Sequence, residues 1–557
     1  MRLGLKLAAA LSAMFVMSAC TSVEPAPEPD PDTQRRLSSG PVVGFFSENG
    51  APTWLGVPYA QSTAGDNRWR APQPARSRDD LFQAVSHPEP CPQIVNRLST
   101  ETTGLPVGAL LGAEDCLKLD VYAPASAESG AAGLPVMMWI HGGSNTWGYA
   151  SQYDGSKLAQ EQGVVVVVVQ YRLGPLGFFA HPDIDEGQGA NFALLDQIAA
   201  LNWIQEEIAQ FGGDPENVTI FGESAGGQNV AALLASPLAS GLFHRAIVQS
   251  GFFDSVPLDE ARIGDVNSAI PAADRMRAAG GDQDLRALSL QTVFDAYNLG
   301  DPRAELPRVI ADGVSLPRAG LASAFDSLDT FNAVPVITGT NRDEMKLFNA
   351  LNDDLTRRRF GLLISIRDRA YYDRLSHYQS RLWRILAVDQ AAARMSGAGH
   401  DAIWAYRFDW DEGGRLLTMD LSKIFGAAHA MEIPFVFNHF DFFGQLDRAL
   451  FNRRNEDRRD ALAASMGAYW AAFAREGDPG AAGGPDWPRW SSEPELMRFD
   501  APSPELMDGR DSLALLLSDL SSDPALNAAQ ICRAAQALSN WRDELEDQIL
   551  TQTDCAA

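Results

Sequence analysis

Gly222-Glu223-Ser224-Ala225-Gly226 sets a serine between two glycines, after the apolar run Val218-Thr219-Ile220-Phe221 and before Gly227-Gln228-Asn229-Val230-Ala231-Ala232-Leu233-Leu234. The first run reads as a buried strand and the second as a helix. A serine on the tight turn between them is presented at the carboxyl end of a sheet, next to the free N–H groups of a helix N-terminus. That is the layout of a nucleophile, and nucleophilic catalysis needs two further parts: a base to take the hydroxyl proton and donors to hold the oxyanion. His141-Gly142-Gly143-Ser144 follows a second strand-like run and can aim backbone N–H groups at such an oxyanion, with the N–H of Ala225 beside them. A bland reading makes both glycine-rich stretches ordinary turns; their co-occurrence argues against it.

The base is sought among eight histidines. The order serine, acid, histidine leaves four candidates beyond the first 250 residues, His377, His400, His429 and His439. His377 sits in a charged helical stretch, and His439 reads as a surface or packing residue. His429 has small neighbours, Ala427, Ala428 and Ala430, which leave room at a crowded site. The orienting acid should follow a strand, and Asp343 and Glu344 both follow the run at 335–338; local pattern does not choose between them. Glu223 either tunes the field at the nucleophile or is an ion-paired structural carboxylate.

These residues need a scaffold. Strand-like runs at 135–140, 164–169, 218–221, 246–249 and 335–338 alternate with helical spacing, clearest at 194–211. The uniformly β-branched valines at 164–169 suit a strand buried on both faces. The pattern predicts an α/β fold: a central, mostly parallel sheet with helices on both faces. The turn-rich N-terminal third reads as antiparallel strands. Regions 254–330 and 351–425 read as a helical, irregular cover over the cleft at the carboxyl edge of the sheet.

Bulk properties narrow the function. Of 557 residues, 45 are Lys or Arg and 72 are Asp or Glu, a formal net charge of −27. Such a surface repels phosphate backbones, so no nucleic-acid partner is expected. Arg2 and Lys6 before an apolar stretch, closing on Met17-Ser18-Ala19-Cys20, read as a signal peptide over residues 1–19. The ending resembles a lipobox, which implies lipidation of Cys20 and possible membrane anchoring to the bacterial cell envelope; periplasmic or secreted export is the alternative. Residues 20–40 alternate proline with acid and read as an extended tether. The remaining Cys91, Cys116, Cys532 and Cys555 predict two sequence-local disulfides, each worth about 3 kcal/mol in the chain-entropy picture. No zinc spacing is present, and neither a metal nor a cofactor is expected.

Several long motifs then resemble the type-B carboxylesterase family, cholinesterase-like enzymes of the α/β-hydrolase fold, over residues 41 to about 500. They are Glu114-Asp115-Cys116-Leu117-Lys118-Leu119-Asp120-Val121-Tyr122, Tyr171-Arg172-Leu173-Gly174-Pro175-Leu176-Gly177-Phe178, 191–203, and Phe211-Gly212-Gly213-Asp214-Pro215 running into the serine motif. The resemblance implies one catalytic domain over 41–557 that cleaves a small-molecule carboxylic ester through an acyl-enzyme. It assigns the triad to Ser224, Glu344 and His429, and the oxyanion donors to the N–H groups of Gly143, Ser144 and Ala225. It also implies the Cys91–Cys116 disulfide and the ion pairs Arg68–Glu114 and Arg172–Asp196. Ser144 departs from the three consecutive glycines of many members; it keeps its N–H, and its side chain is expected to narrow the cleft. The stretch from Cys91 to Cys116 contains no aromatic residue, which argues against a choline ester. A non-catalytic binding relative, and a hydrolase of amides or lactones, are the competing readings.

Overall fold

A computed structural model describes residues 26–555 apart from 131–132, 282, 298–305 and 360–362. The signal peptide and Cys20 lie outside the described residues.

Eleven strands form one mixed sheet. In chain order they are β1 (Phe45–Phe46), β2 (Pro52–Pro58), β3 (Lys118–Tyr122), β4 (Leu134–Ile140), β5 (Val165–Val169), β6 (Gly213–Glu223), β7 (Arg245–Gln249), β8 (Val336–Asn341), β9 (Ile403–Phe408), β10 (Glu495–Phe499) and β11 (Glu505–Asp508). Across the sheet the order is β11-β10-β9-β8-β7-β6-β4-β5-β3-β2-β1. The middle, from β10 to β5, is parallel, and both edges are antiparallel. The expected runs become β4 to β8, and the antiparallel N-terminal strands are present. Strand β9 was not expected; it lies inside the region read as helical cover.

Successive side chains on a strand face opposite sides. Val136, Met138 and Ile140 of β4 and Val165, Val167 and Val169 of β5 enter one core, and Met137, Trp139, Val166 and Val168 enter the other. The first core is closed by α1 (Phe192–Glu207) and α2 (Ala225–Ala235), and the second by α6 (Glu456–Glu476). Between them in sequence come α3 (Met345–Leu351), α4 (Arg369–Arg384) and α5 (Gln390–Gly397), and after them α7 (Leu513–Ser521), α8 (Ala528–Ser539) and α9 (Asp543–Gln552).

The globular body reaches back to Asp30, inside the stretch expected to be tether. Thr33 is fully buried, its hydroxyl accepts from the Gly44 N–H, and its carbonyl accepts from the Trp54 indole. The Ser38 N–H donates to Glu207 at 2.8 Å. Apolar and hydrogen-bonding partners on the body outweigh the extended preference of the proline-rich run before it.

Both disulfides form, Cys91–Cys116 and Cys532–Cys555. Both scaffold ion pairs are also present. Arg68 grips Glu114 through two bonds of 2.7 Å. Arg172 grips Asp196 on α1 at 2.7 and 2.6 Å, with the Arg172 N–H adding a third bond at 3.0 Å. Asp196 is completely buried. Removing one partner of such a pair strands the other charge without water. Asp196→Ala is therefore expected to lower stability by about 3–5 kcal/mol, read as a fall in the urea midpoint at unchanged slope.

Candidate functional site

Strand register sets the site. Gly222 pairs with Ile140, Glu223 with Gln249, and Gln249 with Gly339. The carboxyl ends of β4, β6, β7 and β8 therefore finish level, and the segments leaving them converge: His141-Gly142-Gly143 from β4, Ser224 from β6, Ser250 from β7 and the Asn341–Glu344 turn from β8.

Ser224 sits at φ 58°, ψ −123°, between the end of β6 and the start of α2. This backbone region is costly for a residue with a Cβ. It is held by the Ser224 N–H donating to Gln249 O at 2.8 Å and by the Gln228 N–H donating to Ser224 O at 2.9 Å. Gly222 and Gly226 are there because the β4 backbone crosses close by: a Cβ on them would lie 2.6 and 2.0 Å from Ile140 O.

The β4 loop passes against this turn. A Cβ on Gly142 would stand 3.1 Å from Ser224 Cβ. Gly143, Ser144 and Asn145 all have positive φ, at 102°, 56° and 55°. Ser144 thus occupies the left-handed conformation that a glycine adopts freely, which is the cost of the departure at this position. The turn is closed by Thr146 and Trp147 N–H groups, both donating to Gly143 O. The N–H groups of Gly143 and Ser144 take no acceptor among the described residues, and that of Ala225 opens helix α2, where an intrahelical partner does not exist. His141 is scaffold: it is buried, stacks on Tyr171 at 4.5 Å, and burial lowers it to about 4.

Glu344 and His429 meet directly, with His429 Nδ1 2.5 Å from Glu344 Oε2. Glu344 is fully buried, and its other oxygen accepts from the Asn341 N–H at 2.7 Å and the Ser250 hydroxyl at 2.6 Å. Asp343 points elsewhere, to Arg342, Lys346 and the Ala427 N–H. Among the other histidines, His400 bonds Val334 O and His377 packs on Tyr378.

The second nitrogen, His429 Nε2, lies 3.1 Å from Glu223 Oε1, within ion-pairing distance but out of line for a hydrogen bond. The Ser224 hydroxyl makes no hydrogen bond to His429 Nε2, which faces Glu223 instead. Trp383 and Phe348 flank the imidazole, with ring centroids at 4.8 and 5.3 Å.

A third carboxylate completes the cluster. Glu432 is buried and accepts from Asn341 Nδ2 at 2.5 Å and Gln249 Nε2 at 3.3 Å. Burial, reinforced by Glu344, raises it to about 7. Burial alone pulls His429 down, but Glu223 and Glu344 outweigh it and lift the imidazole to about 9. Burial raises Glu223 to about 8, with His429 opposing. Sequence reasoning missed Ser250 and Glu432 as parts of this network. The only signal for Glu432 was its place three residues after His429; Ser250 carried none beyond following β7.

A family model described as the Carboxylesterase family matches residues 31–383 and 366–509. Para-nitrobenzyl esterase of Bacillus subtilis (strain 168) is 33% identical over 488 residues, covering 82% of this chain and 92% of that protein. Cocaine esterase of Homo sapiens is 34% identical over 519 residues, covering 84% and 87%. A solved PNB esterase aligns with a TM-score of 0.69 at 31% identity, covering 86% of this chain and 97% of that one. A Geobacillus stearothermophilus carboxylesterase aligns at 0.66 with 28% identity, covering 86% and 98%.

The Glu223 carboxylate raises His429 by its charge alone, while Glu344 does so by charge and hydrogen bond together. Glu223→Gln removes that charge and is expected to move the His429 titration down by about one pH unit. Imidazole NMR on histidine-labelled protein reads it; an unmoved titration means that Glu223 does not act on this ring.

Proposed function

The chain belongs to the carboxylesterase family and is a serine hydrolase of carboxylic esters, and on that premise we propose that Ser224, His429 and Glu344 form its catalytic triad. The contact that carries the reading is the 2.5 Å link between His429 Nδ1 and the buried Glu344 carboxylate, set beside the strained serine turn. In its neutral form the imidazole donates from Nδ1 to Glu344 and presents Nε2 as the acceptor; the proton that Glu223 and Glu344 favour on the ring must leave before the ring acts as a base.

His429 takes the Ser224 proton as the oxygen attacks the ester carbonyl. Charge developing on the carbonyl oxygen is met by the N–H groups of Gly143, Ser144 and Ala225, which have no backbone acceptor of their own among the described residues. His429 then passes its proton to the leaving alcohol. Water, activated by the same imidazole, releases the acid from Ser224. Glu344 keeps the ring oriented and stabilises it while it is charged.

The two disulfides fit an extracellular or secreted protein. No helix among the described residues is long and apolar enough to cross a membrane. On this reading residues 1–19 are the export signal and Cys20 the lipid-bearing N-terminus, joined by a short acidic tether to the catalytic body. Intact mass of detergent-extracted protein decides it: a diacylglyceryl adduct supports the anchor, and an unmodified N-terminus excludes it.

With p-nitrophenyl acetate, Ser224→Ala and His429→Ala are each expected to lower kcat by about 10⁴-fold or more, and Glu344→Gln by about 10⁴-fold. Steady-state rates with a matched fold check by circular dichroism test this. Undiminished turnover in Ser224→Ala removes the serine from the mechanism.

A further inference from the structure

The family match ends at residue 509, and three helices follow it. α7, α8 and α9 pack on α4 through Leu516, Leu517, Leu520, Leu538 and Ile549, all buried. The Cys532–Cys555 disulfide ties α8 to the residues after α9. Arg381 on α4 pairs with Asp511 and Asp519 at 2.7 Å each.

The turn between α8 and α9 reaches the site. Trp541 stands edge-on to Trp383 at 5.7 Å and to Phe252 at 6.4 Å. Trp383 is the ring packed on His429, and its indole N–H donates to Ser250 O. The next residue, Arg542, pairs with Asp254 at 2.7 Å and lies over the Phe252 ring at 5.3 Å. Asp254 also accepts from Gln228 Nε2 at 2.7 Å, and Gln228 belongs to helix α2, which begins just after Ser224. The turn is therefore fastened on one flank to the neighbours of the base and on the other to the helix behind the nucleophile. Trp541, Phe252 and Phe348 are only half-buried, so ring surface remains open beside the buried Trp383.

We propose that this disulfide-closed C-terminal hairpin forms one wall of the substrate site, and that Trp541 is a specificity-determining residue favouring esters with a flat aromatic group. The proposal rests on the triad reading above. Rings set edge-on to one another present both faces and edges, and a planar aromatic substituent meets them by stacking or edge contact. A short aliphatic ester makes no such contact and leaves water against the same surface. Removing one ring–ring pairing corresponds to a factor of about five in discrimination. Arg542 fixes the turn so that the indole is already in place, and its charge is spent on Asp254.

The test compares ethyl phenylacetate, benzyl acetate and ethyl butyrate by proton release, using the full-length enzyme and its Trp541→Ala, Trp541→Leu and Trp541→Phe variants. The expected result is a fall of about fivefold in the kcat/KM ratio of an aromatic ester over ethyl butyrate in the alanine and leucine variants, with recovery in Trp541→Phe. Whether ethyl phenylacetate or benzyl acetate loses more tells which side of the ester the hairpin faces. Equal loss on all three esters, or unchanged ratios, overturns the proposal and leaves the hairpin a stability staple; melting temperatures measured alongside detect the former. Ser224→Ala assayed in parallel separates the two readings: activity surviving there sinks the triad, whereas shifted ratios without such survival leave both standing.

Discussion

The site depends on satisfying a carboxylate where water does not reach. Glu344 is wholly enclosed, and an enclosed carboxylate without donors is among the costliest groups a protein can bury. Its donors come from separate parts of the chain: the Asn341 N–H at the end of β8, the Ser250 hydroxyl just past β7, and His429 from a loop 85 residues on. Each donor arrives only when its segment is correctly seated. Burial of this one group therefore couples the sheet register to the position of the imidazole, and a misaligned strand would lose a bond to it.

The strain at Ser224 is held in the same way. A non-glycine residue at φ 58° and ψ −123° costs about 1–3 kcal/mol locally. The local Gln228 N–H bond to Ser224 O offsets part of that, and the neighbouring strands supply the rest. Ile140 O presses against Gly222 and Gly226, and the Gln249 carbonyl holds the Ser224 N–H. Ser144 and Asn145 carry similar left-handed conformations opposite. Two strained turns thus lie close together, a Cβ on Gly142 standing 3.1 Å from Ser224 Cβ.

Local features of this arrangement were legible in the sequence. The elbow shows as glycines flanking a serine, between a strand pattern and a helix pattern. The five valines of β5 show because a strand buried on both faces must be apolar throughout. The cysteines pair with their near neighbours in sequence. What escaped reading is non-local or atypical in composition. Strand β9, Ile-Trp-Ala-Tyr-Arg-Phe, carries bulky rings and an arginine, and it follows an unbroken helical stretch; its place in the sheet comes from pairing with β8, which composition does not announce. Asp343 and Glu344 are adjacent carboxylates, and only the direction in which the β8 turn leaves the sheet sends one to His429 and the other to Arg342 and Lys346. Family motifs made that choice where local pattern did not. Ser250 meets Glu344 across 94 residues of chain, a distance at which sequence spacing carries no information.

Chemistry and selectivity are encoded in different places. Ser224 and Glu344 follow the ends of β6 and β8, on either side of β7, so their spacing is inherited from sheet register, and His429 is brought to them by its bond to Glu344. The surfaces beside them come from the cover. Trp383 stands near the end of α4, just before the chain enters a turn of π-helix at Ile385–Asp389, an insertion of the kind that shifts side chains relative to a regular helix. Phe348 comes from α3, Phe252 from the loop after β7, and Trp541 from the C-terminal hairpin. None of these four belongs to a strand, and Phe252 and Trp541 make no hydrogen bond to the groups around Glu344, whereas Trp383 is tied to them through Ser250 O. If the rings beside His429 contact the substrate as proposed, such a scaffold can keep one reaction while altering which ester reaches it, and the C-terminal hairpin that carries Trp541 lies outside the family match.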